Sequence, residues 1–188
     1  KKYSWWLHLK EYAKARIEKI KTSFLLSVLS TKAVTDMIDQ EWDDAKHTVR
    51  YGNVLYGLPE VLHEMDTLNM GDFIEVLEHQ NYTAHLILFA QYYDEVYDYA
   101  KKTGQLKVVH KEHWHEYLTI LRNCIKNSYE TFTPTLKDES TLRSKTVNYN
   151  YLNISKSSIG KKYKSIMSDK SIVVFANTLE EFFHTVLK

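Results

Sequence analysis

The chain has 188 residues, enough to bury one core, and its 44% hydrophobic and 26% charged content excludes a disordered polar chain. Its 25 Lys and Arg nearly cancel 24 Asp and Glu, which excludes a strong global field of the kind that draws in a nucleic-acid backbone. Only 5 Gly, 2 Pro and one cysteine, Cys124, are present, too few for a many-stranded sandwich or a disulfide-stapled secreted scaffold. The expectation is a cytoplasmic, all-α single domain over 1–188: a helical bundle of about five or six helices with one irregular polar insertion at about 135–168. A chain that opens on Lys1 rather than Met is read as processed or trimmed at its start. No apolar run is much longer than about five residues against the roughly 18 a membrane span requires, so no membrane partner is expected.

In chain order, apolar residues at Trp5, Leu9, Tyr12, Ile17, Ile20, Phe24 and Val28 recur every three to five positions, which predicts a long first helix over 4–29 with this face buried. A second helix is expected over 35–49, stopping at Tyr51-Gly52-Asn53, and a short one after Gly57-Leu58-Pro59-Glu60, where Pro suits the first turn. Asp72 is expected to cap a further helical run. From about Asn81 the pattern Leu86, Phe89, Tyr93, Val96, Ala100 predicts a core helix ending at Thr103-Gly104.

Trp114, Leu118, Leu121 and Ile125 form one stripe over 111–127, and Thr133-Pro134 stops any continuation of that helix. The stretch 135–168 is rich in Ser, Lys, Asn and Tyr, with a weak alternation at 147–154 that suits a small hairpin. A closing helix, opened by Ser168 or Asp169, puts Ile172, Phe175, Leu179, Phe182 and Val186 on its buried face.

Leu121-Arg122-Asn123 sits late in a long helix, before a polar loop and a closing amphipathic helix. Over about 82–188 this arrangement resembles the HEPN superfamily of helical-bundle domains. That resemblance implies a metal-independent ribonuclease site, needing no cofactor and shared across a dimer, in an RNA-linked defence or stress pathway. In such a site the Arg stabilises charge on a phosphate in flight and a His after a short gap moves a proton. Arg122 and Asn123 match the first two positions, but the His positions hold Asn127, Ser128 and Tyr129. The resemblance therefore implies a divergent domain with weak or lost cleavage, or a binding and dimerisation module. His115, two helical turns before Arg122, is the candidate replacement proton carrier; the alternative is that His115, Arg122 and Lys126 are a solvated face.

Two further readings stay open. One is a plain helical protein-protein interaction module, with a homo-oligomer or another protein as partner. The other is a ferritin-like carboxylate metal protein, because Glu-x-x-His recurs at Glu60/His63, Glu112/His115 and Glu181/His184, where roughly one occurrence is expected by chance. Zinc at His110, His113 and His115 is disfavoured, since i and i+2 point to opposite sides of a helix. Tyr92, Tyr93, Tyr97 and Tyr99 read either as a base-stacking surface or as the rim of a core.

Overall fold

The computed structural model describes residues 2–39, 48–51, 54–57 and 70–187. The chain is an all-α helical bundle, with six helices among the described residues: α1 (Lys2–Asp39), α2 (Met70–Lys102), α3 (Leu106–Val109), α4 (His115–Asn127), α5 (Leu136–Ser144) and α6 (Asp169–Thr185). Two small antiparallel hairpins accompany them, β1 (Thr48–Tyr51) with β2 (Val54–Gly57), and β3 (Val147–Tyr149) with β4 (Leu152–Ile154). Two compact units emerge, one of Lys1–Phe24 with Thr83–Lys188 and one of Leu25–Tyr82. No described helix is long and apolar enough to cross a membrane.

The larger unit holds the main core. The α4 stripe is buried as its period predicts, with Leu118, Leu121 and Ile125 at 0% exposure. Against it α6 brings Ile172, Phe175, Leu179, Phe182 and Phe183, and α2 brings Leu86, Phe89, Val96 and Ala100, all buried. Edge-on aromatic pairs lock these helices together: Trp114 meets Phe182 at 5.1 Å between ring centroids, and Tyr99 meets Phe183 at 5.2 Å. Such pairs contribute about 0.5–1.5 kcal/mol each beyond their burial. Val186, expected on the buried face, is 39% exposed just past the end of α6 at Thr185, and Leu187 is the buried residue there.

Helix ends obey local chemistry. Gly104 closes α2 at φ +69°, with Gln105 N–H reaching back to Ala100 O at 2.7 Å and Gly104 N–H to Lys101 O at 3.2 Å. This paired bonding satisfies carbonyls the helix leaves open and needs the left-handed conformation glycine adopts without strain. Ser168 caps α6 and Thr135 caps α5, each accepting from a backbone N–H three residues on.

Three further expectations are corrected. The α1 face buries only in part: Ile17 is buried as predicted, with Ala13 beside it, and Leu9, Ile20 and Phe24 are half-buried, while Trp5 and Tyr12 stay 57% and 59% exposed, Tyr12 lying beneath the Arg16 guanidinium. The predicted second helix over 35–49 is not separate, because α1 runs unbroken to Asp39; at the far end of that range Thr48–Tyr51 is a strand. Its β-branched and aromatic residues favour a pleated chain, and its register pairs Thr48 with Gly57 and Tyr51 with Val54. The helix begun at Asp72 and the one begun at Asn81 are a single helix from Met70. The polar excursion carries the small hairpin that its alternation suits, β3–β4, together with α5 and two 3-10 turns (Lys156–Ser158 and Tyr163–Ser165), and it buries Val147, Tyr149, Ile154 and Tyr163. The short helix expected after Gly57-Leu58-Pro59-Glu60 lies outside the described residues.

Candidate functional site

Arg122 and Asn123 sit in the second half of α4, where the helix passes Asp94 of α2 on one side and the start of α5 on the other. Arg122 Nε donates to Asp94 Oδ1 at 2.6 Å, and its Nη2 also contacts that oxygen. Its Nη1 donates to Asn123 Oδ1 at 2.9 Å. Lys126, one turn on, places Nζ 2.6 Å from the other oxygen of Asp94. Asn123 passes the connection onward, its Nδ2 donating to Asp138 Oδ2 at 3.0 Å. Asp138 is only 6% exposed; its Oδ2 also accepts from Thr135 Oγ1 at 2.7 Å, so its charge lies in the first turn of α5 where the helix dipole favours an anion.

The outcome is a continuous polar tie, Lys126 and Arg122 to Asp94, Arg122 to Asn123, Asn123 to Asp138 and Thr135, which pins α2, α4 and α5 together. Two cations face two carboxylates, so the group is electrically balanced. The same balance holds in a neighbouring groove of about 560 Å³ between α1 and α2, lined by Tyr12, Arg16, Lys19, Gln91, Asp94 and Glu95. There Arg16 pairs with Glu95 at 2.5 Å. Burial lifts the Glu95 carboxyl above its ordinary range, partly offset by Arg16.

His115 shares α4 with Arg122 but belongs to a separate aromatic group. Its ring lies 4.7 Å from that of His110 and stacks on Tyr97 at 6.5 Å, while Tyr97 Oη meets His110 Nε2 at 3.2 Å. Burial, and then the charge of His110, hold the His115 imidazole below its ordinary value. His113 turns away toward Tyr149, 5.4 Å between rings. The tyrosines divide: Tyr92, Tyr93 and Tyr99 are buried and Tyr97 is half-buried. Tyr93 stacks on Tyr97 at 5.9 Å and hydrogen-bonds Thr119 at 2.6 Å.

Of the three Glu-x-x-His pairs, Glu60/His63 lies outside the described residues. In the third, the ligand atoms of His184 gather with Glu180 and Glu18 rather than with Glu181. Glu18 carries no signal in the sequence, since no short motif joins it to a helix at the other end of the chain. Comparison with known proteins finds no match to a family model, a curated protein or a solved structure. The HEPN resemblance therefore rests on Arg122-Asn123 and the helical context around them.

Proposed function

We propose that this chain is a divergent HEPN-like helical module that acts by protein binding rather than by RNA cleavage, with a second copy of itself as its first partner. The observation that carries this reading is the commitment of Arg122: its guanidinium is spent on Asp94 and on Asn123. Stabilising a phosphate in flight needs a guanidinium aimed at the developing charge, and backbone binding needs cations with no anion of their own. The positions where the resemblance puts the His, Asn127, Ser128 and Tyr129, supply no imidazole. Surface for a protein partner lies along α1, where Leu25, Leu26 and Leu29 are 51%, 60% and 61% exposed.

The test incubates the purified chain and its Arg122→Ala variant with a labelled RNA pool, and runs light scattering on the wild type and on Leu25→Glu/Leu29→Glu. Intact RNA with both proteins, a wild-type dimer and a monomeric double variant are expected. A ribonuclease of weakened activity is the second reading, favoured by the 26% exposure of the Arg122 side chain. Cleavage by the wild type that Arg122→Ala abolishes would establish it in place of the first.

A further inference from the structure

Beyond any interaction role, a second polar cluster lies in the larger unit, on the far end of the sequence from Arg122. Glu180 and His184 are four residues apart on α6, so both project from one face. Glu18 of α1 joins them, and the carboxylate oxygens and imidazole nitrogen that face one another all lie within 4.8 Å. We propose that Glu18, Glu180 and His184 bind a divalent cation of the zinc class, which clamps α1 onto α6.

A second observation concerns Tyr92. Tyr92 of α2 is 3% exposed, its hydroxyl has no hydrogen-bond partner, and it stands in the field of both carboxylates; burial, then Glu180 and Glu18, raise its pKa. Buried hydroxyls are nearly always paired, and an orphan in the field of two anions fits the outer layer of a metal site, where such groups hold a ligand or a bound water. The donor set selects the ion. Imidazole with carboxylates suits zinc and its first-row neighbours, whereas magnesium and calcium take oxygen alone. Ligand bonds near 2 Å bring donor atoms roughly 3.5 Å apart in a tetrahedral site, so the three side chains close by about 1 Å. Glu18 and His184 are exposed and free to make that rotation.

Two features of the surroundings matter. Lys21 Nζ sits 2.7 Å from Glu180 Oε1, a single positive charge held where the cation would bind. Its side chain is 43% exposed, so it has open solvent to swing into when a doubly charged ion takes its place. The end of α6 is held rather than frayed: Phe183 and Leu187 are buried, and Lys10 Nζ donates to Leu187 O at 2.9 Å. His184 is thus presented from a fixed backbone.

The experiment titrates Zn2+ into the tag-free, metal-stripped full chain by calorimetry, with Co2+ absorption as a second readout and circular dichroism to confirm the fold of each variant. One saturable site is expected. Glu180→Gln and His184→Ala each weaken it at least tenfold, Tyr92→Phe weakens it by about tenfold as a lost outer-layer contact, and Lys21→Gln tightens it. His110→Ala leaves it unchanged. No saturable binding, binding that survives both Glu180→Gln and His184→Ala, binding lost in His110→Ala, or a Lys21→Gln site no tighter than wild type would each overturn the assignment. RNA cleavage and oligomeric state do not enter this readout, so it stands or falls separately from the interaction reading.

Discussion

The two polar clusters of the larger unit contrast in one respect. Around Arg122 each charged group has a partner of opposite sign or a hydrogen-bonding amide, and Asp138 is buried inside that network. Between α1 and α6, two carboxylates and an imidazole gather with the Lys21 ammonium paired to Glu180, and the orphan hydroxyl of Tyr92 lies in the field of both carboxylates. A fully satisfied buried network fixes a packing arrangement, and a partly satisfied one is where a ligand is missing or strain is stored. By that criterion the cluster with the recognisable sequence signature is structural, and the one without it has unused binding capacity.

Substitutions sharpen the contrast, the largest effect first. Asp138→Ala strands the Asn123 amide and the Thr135 hydroxyl and removes the anion at the α5 N-terminus; urea unfolding should show a loss of about 2–3 kcal/mol. Arg122→Ala costs less, about 1–2 kcal/mol, because Lys126 stays beside Asp94. Glu180→Gln without metal should change stability by no more than about 0.5 kcal/mol, as for an ion pair whose Lys21 side chain is exposed and whose Glu180 is half-buried, and less still in high salt. A loss as large as that of Asp138→Ala would erase the distinction between the clusters.

The smallest expected effect is a pH dependence at His115. Burial and His110 hold its folded-state pKa below the ordinary 6.5, with Glu116 opposing. Just below pH 6.5 the unfolded chain therefore binds more protons than the folded one, and stability falls as pH drops through that interval. His115→Gln should flatten this part of the profile, read as the change in urea midpoint between pH 7.5 and 5.5. An identical slope in variant and wild type would remove the imidazole from the account.

How much of the molecule is legible in its sequence depends on the range of each interaction. The stripes of α4 and α6 repeat at helical spacing against a packed interior, so Trp114, Leu118, Leu121, Ile125, Ile172 and Phe175 are buried where periodicity puts them. On α1 the same arithmetic holds at Ile17 and fails at Trp5 and Tyr12; among the described residues Ala13 and Ile17 are its buried positions. In the 135–168 stretch the alternation of buried Val147 and Tyr149 with exposed Asn148 is legible as a hairpin, whereas the polar content hides α5 and the burial of Tyr163. Arg122-Asn123 can be picked out as a pair, but its meaning depends on Asp94, 28 residues earlier, and Asp138, 15 later than Asn123. Local pattern carries no information about which distant carboxylate will sit beside a guanidinium. Glu18 with Glu180 and His184 is the extreme case, assembled from opposite ends of the chain.

The central claim is that Arg122 is spent on Asp94, and a double-mutant cycle tests it directly. Unfolding free energies of wild type, Arg122→Ala, Asp94→Ala and the double variant, monitored by near-ultraviolet circular dichroism, should yield a favourable coupling of at least about 0.5 kcal/mol. Additivity within about 0.3 kcal/mol would mean that the two side chains ignore each other in solution, leaving the guanidinium free for another anion and contradicting the account.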